Sequence, residues 1–226
     1  MICPKCNHEY ETIEREIGGG VYTFPMSCPE CDRVMRDRLE AETKAELVKQ
    51  EAVRINLWIK NAEIPPRYAV MRECTPKNST QELKWDFKKN LIFTGGTGAG
   101  KTTVACWLAI VGIIKYRKTA RYKSYPDLLL SLDSNKFGKI VNTESVIQDC
   151  IECDILILDE IDKGVYSNYL FQIMNGRYNK QLPTIIIGNA TIDEIKAIFG
   201  DALNSRLREQ GTIVKGFASI DYRSEK

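Results

Sequence analysis

Short apolar runs and longer helical stretches alternate along most of this chain. Leu91-Ile92-Phe93-Thr94, Asp154-Ile155-Leu156-Ile157-Leu158 and Leu182-Pro183-Thr184-Ile185-Ile186-Ile187-Gly188-Asn189 read as strands buried on both faces. Thr103 to Tyr116 contains no Pro and is apolar nearly all round, which predicts a helix packed between a sheet and its neighbours. Tyr125-Pro126-Asp127 opens a helix over Leu128 to Leu132, Phe137-Gly138-Lys139 breaks it, and another helix is expected from about Thr143 to Ile151. Ile192 to Phe199, capped by Thr191 or Asp193, and Asp201 to Glu209 are the last helices. Gly211 to Tyr222 alternates like a hairpin. The pattern predicts an α/β domain with a parallel sheet.

Upstream the pattern changes. Residues 33–61 hold no Gly or Pro and are rich in Glu, Lys, Arg, Ala and Leu, a strong helix composition. Leu47, Ile55 and Ile59, with Val48, Ala52 and Trp58, give its C-terminal half an amphipathic stripe, which suits either a spacer or a partner-docking helix. Ile64-Pro65-Pro66 ends it. A polar linker follows to residue 90, where Trp85 and Phe87 are expected to pack on the first core strand and Arg67-Tyr68 either to pack or to stack on a base. Three parts result: residues 1–32, the helix 33–61 and a main domain 62–226.

The net charge of +2 supports no claim of nucleic-acid binding from bulk charge. Lys115 to Tyr125 interleaves basic and aromatic residues, as single-stranded nucleic acid would require; a helix end running into a second strand explains the same letters. Cys3 to Glu16 lacks the apolar core of a signal peptide, and Val104 to Ile114 is too short to span a bilayer. A cytoplasmic location and no membrane contact are expected. Eight cysteines in such a chain point to reduced thiols and metal.

Cys3-Pro4-Lys5-Cys6 and Cys28-Pro29-Glu30-Cys31, separated by twenty-one residues, match a four-thiolate Zn²⁺ site. With Val21-Tyr22-Thr23-Phe24 as a strand and Gly18 to Gly20 as a turn, residues 1–32 read as a zinc ribbon stapled by its metal. The ribbon could hold protein or DNA. His8 is the single histidine and reads as exposed. Cys150 and Cys153 form a third pair without a partner pair and read as structural.

Gly95-Gly96-Thr97-Gly98-Ala99-Gly100-Lys101-Thr102 has the spacing of a phosphate-binding loop, between a strand and a helix start. There backbone N–H groups and the positive helix end converge on one anion. Lys101 can reach the β/γ-phosphates of ATP, Thr102 can coordinate Mg²⁺, and Thr103 completes the cradle. Asp159-Glu160 ends the second buried strand, where ligands sit in open α/β sheets. This is the Walker B pattern: Asp159 holds Mg²⁺ and Glu160 polarises the attacking water. Asn189, at the end of the third strand, can contact that water or the γ-phosphate, or simply form an Asx turn.

In this order the loop, Asp159-Glu160, the Asn-ended strand and the pair Arg206 and Arg208 resemble an AAA+ ATPase. Ile64-Pro-Pro-Arg-Tyr68, Leu156 to Ile161, Leu182 to Ile185, Ser205-Arg-Leu-Arg208 and Ala218 to Arg223 are similar to the DnaC/DnaI-type replicative helicase loaders and their IstB-like relatives. Gly188 stands where these have Ser, and Ile220 and Asp221 also depart from their pattern.

The resemblance implies a three-layer P-loop NTPase domain. It makes Asn189 a sensor 1, Arg206 (or Arg208) a finger into the neighbouring subunit and Arg223 a sensor 2. It also implies a homo-oligomer that binds the replicative DNA helicase and contacts single-stranded DNA near Ser131 to Asp149, through Lys136 and Lys139. A transposition helper of the IstB kind, a nucleotide-gated adaptor with little turnover and a DNA-binding zinc-ribbon regulator are the alternatives.

Overall fold

The computed structural model describes the chain except residues 12, 25–26, 70–75, 77–84, 134–141, 165–166 and 219–226, and the side chains of 22–24. Lys136, Lys139 and Arg223 therefore lie outside the described residues. Two compact units divide between Arg54 and Ile55.

In the first unit, strands β1 (Ile13–Ile17) and β2 (Gly20–Phe24) form an antiparallel ribbon around the positive-φ turn at Gly18-Gly19. Helix α1 (Pro29–Asn61) begins four residues before the expected start. Proline suits a first helical position because its missing N–H would have no helical partner, and Glu30 and Asp32 complement the positive end of the helix. No residue of α1 is fully buried. Leu47 and Val48 are exposed, whereas Ile55, Trp58 and Ile59 pack against the core of the second unit. The stripe is thus core at its C-terminal end and open further up.

The second unit is built on five parallel strands in the order β4 (Ala120–Ser124), β5 (Ile155–Asp159), β6 (Thr184–Ile187), β3 (Asn90–Gly95) and β7 (Thr212–Phe217). Helices α2 (Pro66–Ala69), α3 (Lys101–Tyr116), α4 (Tyr125–Asp133), α5 (Thr143–Glu152), α6 (Asn168–Asn179) and α7 (Ile192–Gln210) connect and cover them. Alternate residues of one strand enter different cores, as the two-residue period requires. Leu91, Phe93, Ile155, Ile157, Ile185 and Ile187 meet α3, Tyr68, Trp85 and Phe87. Ile92, Leu156, Leu158 and Ile186 meet α4 to α7. The result is a helix–sheet–helix sandwich. Tyr68 is buried under the Arg67 guanidinium, so packing is the role the structure shows for it.

The segment after Gly211 forms β7, which runs parallel to β3 at the sheet edge; the return arm of the hairpin expected up to Tyr222 lies outside the described residues. Helix α7 has carried the chain back to the starting end of β3, which makes the pairing parallel. The two last helices meet at a kink, as expected: α7 leaves helical geometry at Gly200, where φ is 67° and ψ is 171°.

Lys115 to Tyr125 is the end of α3 followed by β4. Several of its cations pair inside the fold: Lys118 with Asp154 at 3.9 Å, Arg121 with Asp149 at 3.6 Å and Lys123 with Glu63 at 2.8 Å.

Candidate nucleotide site and cysteine cluster

Strand β3 delivers Gly95 to the sheet's carboxyl edge, and the chain turns into α3 within six residues. Gly98 and Gly100 have φ of 79° and 88°, a left-handed conformation that a side chain would strain. No side chain caps the start of α3, which leaves its positive end for an anion. Lys101, itself buried, donates to Gly95 O at 2.8 Å, Gly96 O at 2.7 Å and Asn189 Oδ1 at 2.9 Å. An ammonium has three protons to give, and here three acceptors take them.

The next side chain, Thr102, donates from Oγ1 to Asp159 Oδ2 at 2.9 Å. Asp159 is also buried, and its Oδ1 accepts the Glu160 backbone N–H at 2.9 Å. Glu160 adopts a left-handed φ of 58° where β5 turns into a short 3-10 helix. Its carboxylate lies toward solvent and takes Lys163 Nζ at 2.5 Å, which raises the Lys163 pKa. Asn189 donates its backbone N–H to Asp162 Oδ1 at 3.0 Å. A Cβ at Gly188 would stand 3.1 Å from Asp162 Oδ1 and 3.1 Å from Ile195 Cδ1, a physical reason for glycine where the resembling proteins have Ser.

Arg206 is placed apart from this group. Its guanidinium lies over the rings of Phe171 at 5.1 Å and Tyr178 at 5.7 Å, with Nη1 buried and without a hydrogen-bond partner. Arg208 is exposed.

Two residues join the picture that the sequence did not single out. Tyr122, on β4, donates its hydroxyl to Asp159 Oδ2 at 2.8 Å; burial and that carboxylate raise its pKa. Arg177 is buried in α6, where burial lowers its pKa. It donates to Cys150 O and Cys153 O at 2.7 Å each, to Thr184 Oγ1 at 3.0 Å and to Pro183 O. It thus ties the end of α5 to the starts of β5 and β6. Its spacing from Leu170, Ile173 and Met174 puts it on the buried face of α6, the one signal in the sequence. Cys150 and Cys153 are buried beside it, and burial raises both thiols.

In the first unit the Sγ atoms of Cys3, Cys6, Cys28 and Cys31 all lie within 4.8 Å of one another. The Cys6–Cys31 and Cys3–Cys31 separations are 3.4 and 3.6 Å. These are far too long for a disulfide bond of about 2 Å. They approach the roughly 3.8 Å edge of a tetrahedron with Zn–S bonds of about 2.3 Å. Backbone N–H groups of Lys5 and Cys6 pull the Cys3 thiol down to about 6, while its three sulfur neighbours push Cys31 up to about 12. Four sulfurs so close could hold one cation among them, and the donor set fits Zn²⁺. His8 is exposed and outside the cluster.

A parallel five-stranded sheet, a glycine loop opening α3 and carboxylate and amide groups at neighbouring strand ends define a P-loop NTPase of the AAA+ class. The chain belongs to the IstB-like ATP binding protein family, whose profile matches residues 72–210.

Among curated relatives, the ATP-binding protein of insertion sequence IS5376 from Geobacillus stearothermophilus is 28% identical over 71% of this chain and 68% of its own. The replicative helicase loader DnaC of Escherichia coli K12 is 25% identical over 60% of this chain and 56% of its own, so the chain spans about half of that relative. A crystal structure of the DnaC helicase loader superposes with a TM-score of 0.54 at 20% identity, over 68% of this chain and 99% of that one. Among the described residues, no helix is long and apolar enough to cross a membrane.

Proposed function

We propose that this protein is an ATP-dependent loader that places the replicative DNA helicase on single-stranded DNA in the cytoplasm. The observation that carries the reading is the linkage of Lys101 to Asn189 and of Thr102 to Asp159 at one sheet edge, in a chain related to a helicase loader. The loop Gly95 to Thr103 would bind ATP, Thr102 and Asp159 would hold Mg²⁺, and Glu160 would activate water. Asn189 would sense the γ-phosphate, and Arg206 and Arg223 would complete the site across and within subunits of a homo-oligomer. The zinc-bound cysteine cluster and α1 would grip the helicase, and hydrolysis would release it.

The relative from insertion sequence IS5376 favours a second reading, a helper ATPase of transposition. The two separate in a binding experiment with the full chain, the Glu160→Gln substitution and ATP. Stable capture of purified host replicative helicase, and none of a transposase, supports loading; the reverse result assigns the chain to transposition.

A further inference from the structure

Tyr122 touches more than the nucleotide site. Its hydroxyl and the Thr102 hydroxyl share one oxygen of Asp159, at 2.8 and 2.9 Å, while the other oxygen takes the Glu160 N–H. Both carboxylate oxygens are therefore held, and a carboxylate so held keeps one orientation. The Tyr122 backbone points the other way, out of the sheet edge. Its N–H donates to Ala62 O at 2.7 Å, and next to it Lys123 Nζ takes both Glu63 carboxylate oxygens at 2.8 and 2.9 Å. Ala62, fully buried, and Glu63, at a left-handed φ of 55°, form the turn that ends α1. One residue therefore joins that turn to Asp159 within the second unit.

We propose that Tyr122 is a positioning residue that fixes the Asp159 carboxylate for Mg²⁺ and ties it to the turn closing α1. This rests on the assignment of Mg²⁺ to Asp159. Mg²⁺ demands near-ideal octahedral geometry at short distances, so it is sensitive to the aim of a ligand carboxylate. The phenol supplies a fixed hydrogen bond to Asp159 from the neighbouring strand β4. The link to Ala62 makes the same residue responsive at its backbone when the carboxylate is engaged.

Tyr122→Phe removes one oxygen and keeps the ring. A fluorescent ATP analogue is titrated onto the full chain, first in EDTA and then across Mg²⁺ concentrations. The expected result is a Mg²⁺ half-saturation raised about 3- to 10-fold, the span of one hydrogen bond, with the affinity in EDTA unchanged. An unchanged Mg²⁺ dependence overturns the proposal. An equal loss with and without Mg²⁺ reveals a packing role only and overturns it too. If unsubstituted protein shows no Mg²⁺ dependence, or Asp159→Asn behaves like it, the Mg²⁺ assignment itself fails. Amide exchange on the unsubstituted chain needs no variant. Mg²⁺ with the analogue, compared with the analogue in EDTA, is expected to slow exchange of the Tyr122 N–H several-fold; unchanged exchange overturns the tie to α1.

Discussion

Lys101 Nζ donates to Asn189 Oδ1 at 2.9 Å, although 88 residues separate the two in the chain. The same ammonium holds the carbonyls of Gly95 and Gly96. A γ-phosphate bound to Lys101 would compete with these acceptors, Asn189 among them. Lys101→Ala is expected to abolish nucleotide binding. Asn189→Ala is expected to bind ATP within about threefold of normal and to lose about 10²-fold in kcat, the usual cost of one transition-state contact. Calorimetric titration and phosphate release separate the two outcomes.

Glu160 stands at a strained left-handed φ with its carboxylate on Lys163, outside the hydrogen bonds that fix Asp159. With Glu160 as the proposed base and Asp159 as the proposed Mg²⁺ ligand, Glu160→Gln would remove the base without disturbing the metal's ligands. ATP affinity is expected to stay the same while hydrolysis falls by about 10²- to 10⁴-fold. Equilibrium binding beside single-turnover hydrolysis tests this directly.

Arg177 spends its guanidinium on backbone, serving the carbonyls of Cys150, Cys153 and Pro183. Arg177→Leu strands those carbonyls in a buried site. A loss of about 3 kcal/mol or more is expected, since each orphaned group costs about 1–3 kcal/mol. Urea unfolding followed by circular dichroism measures it.

The cysteine cluster belongs to the first unit and the nucleotide loop to the second. Cys28→Ser, or extraction of metal with a chelator, is expected to unfold residues 1–28 and abolish helicase binding. ATP affinity should change by less than about twofold, because small metal-stapled modules fold on their metal while the larger core does not depend on it. Metal analysis and limited proteolysis follow the first effect, and nucleotide titration the second.

Arg206 packs over Phe171 and Tyr178 with a buried, unpartnered nitrogen. If it serves a neighbouring subunit, Arg206→Ala and Lys101→Ala proteins, each inactive alone, should recover part of the ATPase rate when mixed. Mixed subunits pair an intact loop with an intact arginine. Arg208→Ala in place of Arg206→Ala distinguishes the two candidates.

What the sequence could show depended on how local the constraint is. Gly95 to Thr102 and Asp159-Glu160 are patterns of a few consecutive residues, so spacing alone brought them out. Tyr122 meets Asp159 only because β4 pairs with β5, and no spacing encodes strand order. The parallel course of β7 likewise depends on where α7 returns the chain, and alternation alone could not separate it from a hairpin. Helix α1 starts at Pro29 because proline is favourable at a first turn, a point that the Cys-Pro-x-Cys pattern obscured. Arg177 was within reach of periodicity, but a charged residue on an apolar face invites a surface reading.

The most direct test is helicase delivery onto a closed circle of single-stranded DNA, where no free end allows threading. Purified host replicative helicase is mixed with the circle, the full chain and ATP, and bound helicase is counted after challenge with competitor DNA. Loading is expected with the unsubstituted chain and ATP, none with Lys101→Ala, and helicase held but not released with Glu160→Gln. Equal loading without the chain, or loading indifferent to ATP and to Lys101→Ala, would contradict the loader reading.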